Sequence, residues 1–209
     1  MHRIAIAVGV AWVSASSARA DAPPSEPVAI DLLTMNGTGC PPDSVAIEMA
    51  PDNTWFRVWH TSSYTALVGI GARPTDFRKN CQLNLVIRAP QGMTYAIGAV
   101  DHQAFVSLAR GASARQRATL FFHGQPAVML DHPISDLQQG VWRVTDTFEE
   151  ATLLFALCKL QPALCINTEL RVSTGTADPA TTTSYVSMVG GLDIGSGPST
   201  YHLVWRQCP

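Results

Sequence analysis

Apolar and polar side chains alternate along most of this chain. From Gln82 to Arg88, Leu83, Leu85 and Ile87 fall on one side and Gln82, Asn84, Val86 and Arg88 on the other. Successive strand residues point to opposite faces, so this predicts a half-buried strand, stopped by Pro90. The preceding Pro74–Asn80 reads as an ordered loop, because Pro74 fixes φ and the Asp and Asn side chains bond nearby backbone. Ile166–Thr174 repeats the pattern: Ile166, Thr168, Leu170 and Val172 face inward, while Asn167, Glu169 and Arg171 share the other face. Thr54–His60 places Trp55, Arg57 and Trp59 on one face and Phe56, Val58 and His60 on the other. The Pro51-Asp52-Asn53 turn joins it to Ser44–Met49 as a hairpin.

Further strands are predicted at Ala29–Leu33, Tyr64–Ile70, Met93–Val100, Gln103–Ala109, Gln116–His123, Val141–Phe148, Ala151–Leu157, Thr183–Val189 and Thr200–Arg206. About a dozen strands at this spacing imply an all-β antiparallel sandwich of jelly-roll type, a single domain over residues 37–209. Residues 21–36 form a leader and a possible first strand, with the proline-bearing Asp21–Pro27 expected to be flexible. Helical periodicity is scarce; Glu149–Leu157 and Ser107–Arg117 hold a turn or two at most.

Residues 1–20 have the three parts of an export signal. His2 and Arg3 are followed by the apolar run Ile4–Val13 and by Ala18-Arg19-Ala20, a cleavage site. The run is shorter than the roughly 20 residues a membrane helix needs, and no later stretch reaches that length. Of 14 basic residues, Arg3 and Arg19 lie in this leader, which holds no acid, so the rest carries 12 basic against 16 acidic residues, a formal charge of −4. Only Lys79 and Lys159 are lysines, and no basic run exists, which excludes nucleic acid as an expected partner and argues against polybasic membrane attraction.

Motifs for chemistry are sparse. The histidines form neither H-x-H nor H-E-x-x-H, and no C-x-x-C occurs, so no metal or cofactor is assigned. G-x-S-x-G is absent; Gly195-Ser196-Gly197 reads as a loop. Carboxylates such as Asp136, Asp146, Glu149, Glu150 and Glu169 are available to a glycosidase, which needs two of them about 5–9 Å apart, but spacing in sequence does not bring them together. No catalytic residue is assigned. Trp55 and Trp59 suit a stacking platform, yet two tryptophans among apolar strands are more often core, and they are assigned there.

Arg78-Lys79-Asn80-Cys81-Gln82-Leu83-Asn84-Leu85 resembles the signature of a secreted family of unknown function, DUF4360. Gly37-Thr38-Gly39-Cys40-Pro41, Ser44-Val45, Pro51-Asp52-Asn53-Thr54, Pro90-Gln91-Gly92, Tyr95-Ala96-Ile97, Ile166-Asn167-Thr168-Glu169-Leu170-Arg171-Val172 and Trp205-Arg206-Gln207-Cys208 extend the resemblance in order. It implies secretion, a β-rich domain and two disulfides, and lends no activity. Cys165 departs from the pattern, standing where a non-cysteine is expected. Cys40 and Cys81 both precede strands and lie in family-like motifs, so they are paired. Cys158 then joins Cys208, with Cys158–Cys165 as the rival.

If the two polar-faced strands pair, Asn84, Arg88, Asn167, Glu169 and Arg171 form a strip, with Arg57 near it and the Asp76, Arg78, Lys79 and Asn80 loop at its rim. The binding residues expected are therefore Asp76, Arg78, Lys79, Asn80, Asn84, Asn167, Glu169 and Arg171. Within the loop, Arg78 is expected to lock onto an acid such as Asp76 or Glu169, leaving Lys79 for a ligand. The reading is an exported, secreted or periplasmic, disulfide-stabilised binding or structural domain for a carbohydrate or protein ligand outside the cell. The alternatives are a carboxylate-based secreted hydrolase and an inhibitor of a secreted enzyme.

Overall fold

Because each strand has one apolar side, the chain closes into two antiparallel sheets packed on those sides. The structure, a computed structural model, describes residues 20–189 and 197–209; the expected export signal, up to residue 19, and Gly195-Ser196 of the expected loop fall outside them. The strands are β1 (Ile30–Asn36), β2 (Val45–Met49), β3 (Trp55–His60), β4 (Thr65–Gly69), β5 (Arg78–Ile87), β6 (Met93–Ser107), β7 (Ser113–Phe122), β8 (Val128–Ser135), β9 (Gly140–Thr147), β10 (Leu164–Ser173), β11 (Thr183–Ser187) and β12 (Ser199–Gln207). One sheet has the order β1-β5-β10-β7-β8. The other runs β2-β3-β12-β6-β11-β4, with β9 on the free edge of β6. This is the all-β sandwich expected.

The core forms between the sheets, as the alternation requires. Leu83, Leu85 and Ile87 of β5, Ile166, Leu170 and Val172 of β10 and Leu120 and Phe122 of β7 meet Phe56, Val58, Val100, Tyr201 and Trp205 of the other layer. Tyr95 of β6 meets Phe122 edge-on at 5.4 Å. Cys40–Cys81 ties the turn before β2 to β5, and Cys158–Cys208 ties the segment before β10 to the end of β12. Each closes a loop of 41 or 50 residues, which by chain entropy stabilises the fold by about 4 kcal/mol. Cys165 is unpaired and buried, and burial raises its thiol pKa.

Several expectations need correction. Trp55 and Trp59 are not core: β3 turns Phe56, Val58 and His60 inward and leaves the tryptophans half-buried on the outer face. Met93–Ser107 is one strand, because Asp101 points out and His102 in, continuing the alternation across two polar residues. Ala151–Leu157 is no central strand; a 3-10 turn, Glu150–Thr152, precedes an isolated bridge from Phe155 to Ala96. Ser107–Arg117 holds no helix, since β7 begins at Ser113. β8 was not expected, because Pro133 and the polar Asp131 and His132 disguise it; as an edge strand it tolerates proline.

The leader is not loose either. Asp21 bonds Trp205 through its amide (2.9 Å), and its carboxylate accepts Gln207 N–H (2.7 Å). Asn53, in the left-handed region (φ 57°), accepts Val28 N–H at 3.0 Å and donates to the Pro24 and Glu26 carbonyls at 2.9 and 2.8 Å. A proline-bearing segment with no periodicity is thus held by backbone groups, which composition does not reveal.

Candidate functional site

The register of β5 on β10 creates the polar strip the pattern suggests. Asn80 lies opposite Glu169, and Arg78 opposite Arg171, on the outer face of the five-stranded sheet. Arg78 pairs with Glu169, which also holds Arg171 at 3.2 Å. Asn80 exchanges hydrogen bonds with Thr38 at 3.2 Å, and Asn84 donates to Thr34. Asn167 is exposed on the same face. Two expected members leave it. Asp76 is 5% exposed, accepting from Arg73 through the amide (3.0 Å) and the guanidinium (3.1 Å) and from Lys79 Nζ at 2.9 Å. The hydrogen bond from Arg73, then that from Lys79, holds the Asp76 carboxyl well below the usual carboxylate range. Lys79, expected to reach for a ligand, is spent on this clamp. Arg57 is not near the strip, because β3 belongs to the other sheet.

That other sheet carries a different surface. Across its outer face, register sets Glu48, Arg57, Thr200, Asp101 and Thr145 side by side on β2, β3, β12, β6 and β9. Strands about 4.8 Å apart make this a continuous polar row. Trp55 lies on one side of it, opposite His202, and Trp59 on the other; two turns of the strand repeat separate them by roughly 13 Å. Arg143 lies opposite Gln103, next to the row, and donates to it at 3.0 Å.

The Arg57 guanidinium stacks on Trp55, 4.1 Å from the ring centre, with its Nε buried and without a protein partner. Asp101 accepts Thr145 Oγ1 at 2.6 Å and faces His202 Nε2 at 2.7 Å. Partial burial pushes its carboxyl up, but the bonds from Thr145 and His202 outweigh this and leave it below its ordinary value, so Asp101 is an anion. A cleft of about 430 Å³ lies here, in the size range of small-ligand sites, lined by Arg57, Trp59, Asp101, Gln103, Arg143 and Thr200 among others. His102 forms part of its floor. Its Nδ1 is 2.9 Å from Ser199 Oγ, its Nε2 has no partner, and burial, with neighbouring His132, lowers its pKa to about 3.

Sequence reasoning passed over Asp101, Gln103, Arg143, Thr145, Thr200 and His202, which come from three strands far apart in the chain. One local signal was present. Arg57 shares a strand face with Trp55 and Trp59, and a charge between two aromatics marks that face as wet.

Fold and surface together define a disulfide-braced antiparallel β-sandwich with an aromatic and polar sheet face. The chain belongs to the DUF4360 family, a domain of unknown function whose pattern matches residues 26–208. A protein of Arthroderma benhamiae described as an uncharacterized secreted protein is 27% identical over 157 residues. That match covers 73% of this chain and 62% of the relative, so the chain spans less than two thirds of the relative's length. Among solved structures, TmCBM61 in complex with beta-1,4-galactotriose aligns with a TM-score of 0.29 and 7% identity, over 88% of this chain and 90% of that one. Among the described residues, no group of three or more His, Cys, Asp or Glu is placed to hold a metal, and no helix is long and apolar enough to cross a membrane.

Proposed function

We propose that this is a secreted, non-catalytic binding domain that takes a neutral, hydroxyl-rich glycan on the outer face of its seven-stranded sheet. The observation that carries this is the pair Trp55 and Trp59 flanking a row of Arg57, Thr200, Asp101 and Thr145. Sugar rings present an apolar C–H face and a hydroxyl rim; tryptophan faces suit the first, and fixed donors and acceptors suit the second. The separation of the tryptophans suits an oligomer rather than a single ring. The buried, unpartnered Nε of Arg57 is a donor that a ligand hydroxyl would satisfy. Among the described residues lining the cleft, Asp101 is the one carboxylate, and it is engaged by Thr145 and His202. A hydrolase would want a second carboxylate across the cleft. Export is supported by the leader pattern, the two disulfides and the description of the Arthroderma relative.

The test is affinity electrophoresis of the protein through gels containing neutral β-glucan, xylan, mannan or galactan, followed by calorimetry on oligomers. At least one polymer retards the wild type, and Trp59→Ala abolishes the retardation without changing the melting temperature. Equal retardation of wild type and Trp59→Ala, or none with any polymer, would remove this reading.

A further inference from the structure

We propose a second, separate site: the outer face of the five-stranded sheet binds an acidic, carboxylate-bearing sugar chain through a row of arginines. The register sets Arg78 of β5, Arg171 of β10 and Arg115 of β7 directly side by side. Arg117 lies one step along β7, between Glu169 and Asp131 of the neighbouring strands. Two acids serve these four arginines. Glu169 holds Arg78 and Arg171, and Asp131 holds Arg117 at 3.0 Å and Arg115 at 3.4 Å. Two positive charges are left over on one face of a chain whose formal charge is −2. At the far end of the same sheet, Arg88 and Asp31 pair at 2.7 Å and add nothing net.

Like charges directly opposite on adjacent strands destabilise a sheet. Three in a row is therefore a local arrangement that stability alone does not favour, and such conflicts concentrate at sites of function. The four side chains are 43–47% exposed, so their guanidinium heads reach solvent. Beside them runs a cleft of about 550 Å³ that adds Ser113, Ser135, Ser173 and Gln138. The planar fork of arginine matches a carboxylate with two parallel hydrogen bonds, and the hydroxyls and amide suit the hydroxyls between successive carboxylates.

The lining also chooses among polyanions. Among the described residues lining the cleft, none is an aromatic on which nucleic-acid bases would stack. A protein partner needs apolar or aromatic anchors at the centre of its contact; here the large apolar residue, Ile134, is buried in the core. An acidic polysaccharide needs neither. This proposal does not rest on the glycan site of the other sheet, because no residue is shared.

The experiment is affinity electrophoresis and calorimetry of the full exported chain with polygalacturonate. The parallel arms are the same polymer methyl-esterified, poly-glutamate and single-stranded DNA. Polygalacturonate is expected to retard the protein, less so as salt rises, and methyl-esterification to abolish the effect. Arg115→Gln/Arg171→Gln weakens binding at least tenfold without lowering the melting temperature, whereas Arg88→Gln binds as the wild type does. Should the double variant misfold, Arg115→Lys decides. It keeps the charge but not the fork, and a loss of affinity at unchanged melting temperature supports the site. No retardation at low salt, equal weakening by Arg88→Gln, equal binding of poly-glutamate or DNA, or full affinity in Arg115→Lys would overturn the proposal.

Discussion

Tyr64 Oη donates to Thr168 Oγ1 at 2.6 Å, joining the two sheets across the core between residues 104 apart in sequence. Both groups are buried, and Tyr64 is sealed from solvent. Burial pushes the phenol pKa far above its usual range, so the bond is between neutral hydroxyls at any physiological pH. Removing one partner leaves the other buried with less than its full complement, at about 1–2 kcal/mol. Tyr64→Phe and Thr168→Val should each lower the melting temperature by roughly 2–8 °C. The double variant should lose less than the sum, because two apolar groups of similar shape satisfy each other. Differential scanning fluorimetry on the three variants checks this, and strict additivity would show that the hydroxyls do not depend on each other.

Arg78 forms the ion pair its sequence suggests, with Glu169, but adjacent Lys79, expected to be free for a ligand, is held by a second acid, Asp76. Arg78 meets Glu169 on an open face, with 44% of its side chain exposed, whereas Lys79 is 13% exposed and holds the carboxylate of Asp76. Exposed pairs contribute at most about 1 kcal/mol, so Arg78→Ala should shift melting by no more than about 2–4 °C. Lys79→Ala, which takes a partner from a nearly covered carboxylate, should shift it more. The Asp76 pKa is depressed, so the clamp stabilises fully above the ordinary value of 3.8 and is lost as pH falls below it. Melting of Asp76→Asn against wild type should therefore differ at pH 7 and converge toward pH 2.

Much of this architecture was legible because period two was clean where one face met the core and the other met water. Leu83, Leu85 and Ile87, and Ile166, Thr168, Leu170 and Val172, are buried as their alternation implies. The pattern misled where both faces of a strand are apolar or aromatic. In β3, Trp55 and Trp59 outrank Phe56, Val58 and His60 in size, yet the smaller set fills the core, and His60 is buried with it. The polar and aromatic face of the seven-stranded sheet was illegible for another reason. It is assembled by register between β3, β12, β6 and β9, and no local stretch records which residue will lie opposite which.

His60 and His102 set an acid limit on the fold. Burial lowers their pKa values to about 4 and about 3 from an ordinary 6.5, so the native state keeps both neutral. The unfolded chain binds protons below pH 6.5 while the native chain does not. Stability is thus complete above pH 6.5 and falls as pH drops through the window down to about 4 and 3. Each histidine contributes at most about 1.4 kcal/mol per pH unit there. Thermal melts between pH 7.5 and 5 should show a steep decline. His102→Asn, whose amide can still meet Ser199, should flatten it, and an unchanged slope would place the titration elsewhere.

The Asn53 side chain holds the Pro24–Val28 part of the leader onto the sandwich. It makes three hydrogen bonds, to Val28 N and to the carbonyls of Pro24 and Glu26, and its own carbonyl accepts the indole N–H of the buried Trp205 at 2.7 Å. Its backbone sits at φ 57°, which asparagine tolerates and alanine resists by about 1–2 kcal/mol. Two variants separate these causes. Asn53→Gly keeps the backbone free to adopt the turn and removes only the side-chain bonds, at roughly 1 kcal/mol or more for each left unsatisfied. Asn53→Ala removes the bonds and adds the backbone strain, so it should be the less stable by about that 1–2 kcal/mol. Urea denaturation measures both. In the same variants the Val28 amide should lose protection from hydrogen exchange well before the core strands do, since its acceptor is gone. Wild-type stability and an equally protected Val28 in Asn53→Gly would show that the leader is held by other contacts, with Asn53 serving only its turn.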